Sequence, residues 1–190
     1  TLIGIVHNLL HNWPKKKPLR ILIGTPSNGA IDQVGLRLRA LYEKTTRCIP
    51  WLSRRVKLVR LGQDKAMNPL MRDLSVDRII TEIRDRGSAI DGQPSISRDM
   101  ALEMILTEAN VIMTTLNSAH SIGMELFRMT SPDAPPPPTF DVVIVDEAGQ
   151  SIEPHIYMPM IYPVTKLILI GDDKQLPATV LSQAAAQAGL

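Results

Sequence analysis

Two adjacent carboxylates, Asp146 and Glu147, end the run "TFDVVIVDEAGQ" (139–150). Paired acids behind a β-branched segment suit two tasks. One can anchor Mg²⁺, which takes oxygen ligands, keeps several waters and needs only one or two carboxylates beside substrate phosphates. The other can orient and deprotonate an attacking water, as nucleotide hydrolysis requires. The same residues also fit a strand stepping out of a core, and alone they leave both readings open. A second polar group follows at "GDDKQLP" (171–177), after the next strand-like run. Gly171 permits a tight exit from that strand. Gln175 can donate to a phosphate oxygen while accepting from a water. The alternative is a polar turn before a helix near Thr179. Two such groups at the ends of consecutive buried strands are hard to assign to chance.

Two further strand ends carry neutral donors. Thr25, Pro26, Ser27 and Asn28 follow "LRILIG", and Thr114 and Thr115 end "VIMTTL". Hydroxyls, an amide and helix N-terminal N–H groups can hold phosphate oxygens of a strand. The alternatives are an ordinary N-cap at Ser27 or Asn28 and β-propensity for the threonines. The run "KKK" (15–17) and Arg54, Arg55 and Lys57 precede their strands, so they belong at the opposite end of the sheet. Arg60 is nearer the productive end. Cys48 has no identifiable His partner, the four histidines lack ligand spacing, and the nine methionines read as packing. Trp13 and Trp51 lie near loops at the unproductive end.

These residues need a parallel sheet to position them. Five runs are β-rich, 19–25, 56–62, 111–116, 141–147 and 166–172, and several are apolar without strict alternation, as strands covered on both faces are. Helical faces lie between them: Leu2, Ile5, Val6, Leu9 and Leu10; Ile31, Val34, Leu38 and Leu41; Ala101, Leu102, Ile105 and Leu106. Alternating strands and helices predict an α/β fold with helices on both faces. Ligands of such sheets bind at the carboxyl ends of the strands, where the acids sit. Residues 131–139, "SPDAPPPPT", read as an extended proline-rich loop. The polar stretch 63–98 opens a helical excursion running to about 108.

The chain has 190 residues, 44% hydrophobic and 21% charged, which suits one globular domain. No apolar run approaches the roughly 20 residues of a membrane span, and "TLIGIV" lacks the basic leader of a signal peptide. One cysteine excludes an internal disulfide and suits the nucleus or cytoplasm. Residues 1–110 carry 18 Lys/Arg against 11 Asp/Glu, a balance of +7; residues 111–190 carry 3 against 8, a balance of −5. That asymmetry fits either a polyanionic partner or a solvated helix face.

"VDEAGQ" followed by "GDDKQLPATV" resembles motifs II and III of superfamily 1 helicases, in the branch containing senataxin and the nonsense-decay helicase. "TPSNGAIDQV" (25–34) resembles motif Ia of that branch, "VIMTTLNSA" (111–119) its motif Ic, and "VRLG" (59–62) the strand between them. Asp173 departs from the branch, which often has Pro or His there. The resemblance implies an incomplete RecA-like P-loop NTPase, a three-layer sandwich using ATP and Mg²⁺ on single-stranded RNA or DNA, with RNA-processing proteins as further partners. It implies that Asp146 holds Mg²⁺, Glu147 handles the lytic water, Gln175 senses the γ-phosphate, and Asp172 beside Gly171 supports the loop or ion shell. Thr25, Pro26, Ser27, Asn28, Thr114 and Thr115 would meet the strand.

The phosphate loop G-x-x-x-x-G-K-[ST] does not occur in the chain. The resemblance places it just before Thr1, with "TLIGIVHNLL" as the helix that follows. A second RecA-like domain and its arginine finger are also expected elsewhere. Residues 1–190 are therefore expected to be part of a first RecA-like domain, inactive alone, with exposed strand edges where the phosphate-loop strand belongs. Alternatives are a nucleic-acid-binding scaffold of this fold without turnover, and a P-loop ATPase acting on protein partners.

Overall fold

The computed structural model describes residues 1–14, 18–48, 57–88, 96–121, 125, 127, 137–180 and 182–189, without the side chains of 45–48 and 87–88. Lys15, Lys16, Lys17, Trp51, Arg54, Arg55, the Cys48 side chain and most of the proline-rich loop lie outside the described residues. Five strands form one all-parallel sheet: β1 (Ile21–Thr25), β2 (Leu58–Arg60), β3 (Val111–Thr115), β4 (Phe140–Val145) and β5 (Val164–Leu169). Their spatial order is β2-β3-β1-β4-β5, so β1 is central. β1, β3 and β4 are buried at every residue. That explains their unbroken apolar sequences.

Alternation through the sheet divides the core into two layers. Ile21, Ile23, Val111, Met113, Val142 and Ile144 pack with Leu2 and Val6 of α1 (Leu2–Asn12) and Ile31, Val34 and Leu38 of α2 (Asn28–Cys48). On the other face, Leu22, Ile112, Val143 and Val145 pack with α3 (Val76–Ser88) and α4 (Arg98–Glu108), through Val76, Ile80, Ala101, Ile105 and Leu106. The result is a three-layer α/β sandwich. Short 3₁₀ turns at Asp64–Ala66 and Pro69–Leu74 lead from β2 into α3. Phe127, Phe140 and Tyr162 form an aromatic cluster with ring centroids 4.6, 6.0 and 6.2 Å apart. The Tyr162 hydroxyl donates to Ala119 O, tying the loop after β3 to the start of β5.

Polar groups close the amino end of the sheet. Asn110 accepts from Lys57 N at 3.0 Å and donates to Leu19 O at 3.1 Å. Arg20 donates to Leu106 O at 3.4 Å and to Thr107 O, satisfying carbonyls at the end of α4. Burial pushes its guanidinium pKa down, and Asp141 opposes that shift.

Two strands differ from their sequence expectation. β2 has three residues because Gly62, at φ +147°, turns the chain away one residue after Leu61 N bonds Met113 O at 2.8 Å. β5 starts at Val164 and ends before Gly171. It is an edge strand, partly exposed along its length, and Leu169 is 52% exposed.

Candidate functional site

Register, rather than loop conformation, assembles the site. Gly24 pairs with Thr114 on one side and Val145 on the other, and Val145 pairs with Leu169. Thr25, Thr115, Asp146 and Ile170 therefore leave the sheet at one level, on one carboxyl rim. Asp146 N donates to Gly24 O at 3.0 Å, and Ile170 N to Val145 O at 2.8 Å. The half-buried Asp146 carboxylate meets no hydrogen-bond donor among the described residues.

Glu147 has a left-handed backbone, φ 56° and ψ 37°, and is the one non-glycine with positive φ among the described residues. That conformation is uncommon for a non-glycine residue and costs on the order of 1–3 kcal/mol. Its carboxylate accepts from Gln150 Nε2 at 3.1 Å.

The two acidic loops touch backbone to backbone. Ala148 N donates to Ile170 O at 2.8 Å. A Cβ on Gly171 would meet Gly149 N at 2.8 Å, and one on Gly149 would meet Asp172 O at 3.0 Å. Gly171 is thus required by close approach rather than by a left-handed backbone at the strand exit. Asp172 then folds its own loop, accepting from Lys174 N at 2.9 Å and Gln175 Nε2 at 3.2 Å. Asp172, Asp173 and Gln175 are exposed.

Among the described residues no group of three or more His, Cys, Asp or Glu could hold a metal. An ion at Asp146 would take its remaining ligands from phosphates and water. An oxygen-only donor set with one open carboxylate fits Mg²⁺ in that mode.

The neutral donors behave differently from one another. Ser27 is exposed and caps α2, its Oγ accepting from Ala30 N at 3.2 Å. Pro26 is half-buried. Thr25 is buried and donates to Ser27 O at 2.8 Å. Thr115 is buried and accepts from Ser118 N at 3.3 Å, starting the turn that follows β3. Thr114 is fully buried, with a hydroxyl that has no hydrogen-bond partner among the described residues.

Asn28 Oδ1 accepts from Arg60 Nη2 at 2.7 Å. Arg60 has no exposed surface, so it is an internal staple rather than a surface cation. Its Nε donates to Asp32 Oδ1 at 3.0 Å, its Nη1 to Leu61 O, and Asp32 Oδ2 accepts from Asn68 N at 2.6 Å. Burial lowers the Arg60 pKa; the hydrogen bond and charge of Asp32 oppose that. Sequence reasoning overlooks Asp32. The available signal was its position four residues after Asn28, one turn along the same helix face.

Residues 83–183, just over half the chain, match the family model described as "AAA domain". The chain is 34% identical to a probable helicase, MAGATAMA 3 of Arabidopsis thaliana, over 94% of this chain and 20% of that protein. It is 27% identical to the probable helicase senataxin of Mus musculus, over 100% of this chain and 10% of that protein. It is 28% identical to the DNA-binding protein SMUBP-2 of Mesocricetus auratus, over 92% of this chain and 19% of that protein. The chain thus spans a fifth or less of each relative's length. Among the described residues no helix is long and apolar enough to cross a membrane. The chain belongs to the AAA domain family, in the superfamily 1 helicase branch that includes senataxin.

Proposed function

We propose that this chain supplies part of the ATP-hydrolysing half of a helicase motor that moves on single-stranded RNA or DNA. One observation carries the reading: the Asp146–Gln150 and Gly171–Gln175 loops interlock through two glycines on the rim that also bears Ser27. Acids for an ion and a water end the strand next to β1, whose own end opens α2, and the loop bearing the amide follows one strand further out. Two relatives named as probable helicases and one named as DNA-binding support the same reading. Mg²⁺ bound with ATP would neutralise phosphate charge in the transition state.

The chain's own residues divide the rest of the work. Asp146 offers an unpaired oxygen ligand. Glu147 accepts the proton of the attacking water, and Gln150 limits where its carboxylate points. Asp172 holds the Gln175 amide nitrogen, leaving the amide oxygen for a water. Ser27, Pro26 and the N–H groups opening α2 meet the strand. Thr25, Thr114 and Thr115 shape the rim from inside, and Asn28 is held in place by Arg60. The family implies a nuclear or cytoplasmic protein with RNA-processing partners.

The test is Glu147→Gln in the intact protein, assayed for ATP turnover with and without a single strand. Turnover should fall by about 10²–10⁴-fold, with nucleotide affinity retained. An unchanged rate removes Glu147 from the chemistry. Turnover indifferent to a strand points to an ATPase with another target, and a wild type without turnover to a binding scaffold.

A further inference from the structure

The rim continues past Ser27 to the other edge of the sheet. Asn28 joins Arg60, the last residue of β2, and Ser75 bridges to Arg60 in parallel on the far side. That single bridge places Ser75, and the 3₁₀ turn that ends just before it, beside the carboxyl end of β2. There, Asp64, Lys65, Arg72 and Arg78 line a pocket of about 260 Å³.

Two features of this pocket point to an anion. First, three cations face one carboxylate, and Asp64 Oδ1 already accepts from the Ser75 hydroxyl. Second, the acids that adjoin these arginines are engaged elsewhere. Asp73 pairs with Arg39 at 2.9 Å and Asp77 with Arg98 at 2.7 Å. Lys65, Arg72 and Arg78 have no ion pair or hydrogen-bond acceptor among the described residues. A guanidinium suits phosphate oxygens in particular.

The phosphate would not be that of ATP. β2 lies three strand spacings from β4, on the order of 14 Å, across β3 and β1. It does lie on the same rim as Ser27. We propose that Lys65, Arg72 and Arg78 form a second backbone contact for the nucleic-acid strand, holding a phosphodiester at the outer corner of the rim. This rests on the strand-binding reading above and adds to it a charged anchor remote from the nucleotide.

The experiment measures affinity of the intact protein for a labelled single-stranded oligonucleotide across a salt series. Lys65 and Arg78 are exposed, so Lys65→Gln and Arg78→Gln leave packing untouched. Each is expected to weaken binding and flatten the slope of log K against log salt, and the two combined by about 0.7, the release expected for the one single-strand phosphate they share. Arg78→Lys should retain the slope, because the charge survives. Gln variants with wild-type slopes, while the wild type binds the strand, would overturn this anchor and leave the parent reading standing. An unchanged slope with a raised KM for ATP would reassign the pocket to the nucleotide and also overturn it. A wild type that binds no strand would overturn both.

Discussion

Replacing Arg60 by Met probes the staple that ties α2, β2 and the following 3₁₀ turns together. The Arg60 side chain is 0% exposed and that of Asp32 is 5% exposed. The Asp32 carboxylate is satisfied by Arg60 Nε at 3.0 Å and Asn68 N at 2.6 Å. Met fills much of the vacated volume but leaves that carboxylate buried beside a single neutral N–H. Removing one partner of a buried pair costs about 3–5 kcal/mol, against ~0–1 kcal/mol for an exposed pair. Leu61 O and Asn28 Oδ1 also lose a donor, which favours the upper half of the range. Adding Asp32→Leu removes the stranded charge. What then remains is the orphaned Asn68 N–H, about 1–3 kcal/mol, plus the donors lost by Leu61 O and Asn28 Oδ1, which the single and double variants share. The double variant should thus regain roughly 2 kcal/mol over Arg60→Met alone. Urea unfolding of wild type, both single variants and the double, read at constant m, closes the cycle. An Arg60→Met cost below about 1 kcal/mol, or a double variant no better than Arg60→Met, would refute the buried pair.

Three other substitutions separate chemistry from architecture. Glu147→Gly should relieve the left-handed backbone and raise stability by about 1 kcal/mol while abolishing turnover; a lower melting temperature would contradict the strain. Gly171→Ala drives a Cβ onto Gly149 N, which neighbouring backbone cannot easily yield. It should cost about 1–3 kcal/mol and reduce turnover, and a thermal shift near zero would show that the loops separate freely. Ser27→Ala should cost about 1 kcal/mol of helix capping and weaken strand binding without altering its salt slope, since a neutral donor releases no counterions. Ser27→Asp keeps the cap but should lose the strand, which a binding titration reads directly.

Most of the rim was legible locally. "FDVVIV" and "ILIGT" are unbroken apolar runs, and "DE" and "PSN" mark where each chain leaves the core. Periodicity also located the buried faces of α1, α2 and α4 through Val6, Leu38 and Ile105. Sequence placed Arg60 only as nearer the productive end, because nothing nearby in sequence names its partner. Asp32 lies 28 residues away and Asn68 lies 36 residues from Asp32. Thr114 and Thr115 carry another ambiguity: β-propensity and phosphate contact favour the same residue type, and their burial is a property that only the tertiary structure supplies.

What the sequence determined by itself was the inventory: parallel strands, helices on both faces, and two acidic loops at strand ends. Tertiary structure decided their relations. The order β2-β3-β1-β4-β5 puts β4 beside β5, so the two glycine-bearing loops interlock, and it leaves β5 at an edge. The same order carries Lys65, Arg72 and Arg78 to the far corner of the acidic rim. Residue type and period report whether a side chain meets core or water, which is a local property. Which strand lies beside which depends on chain crossovers, and these leave no mark within a short window of sequence.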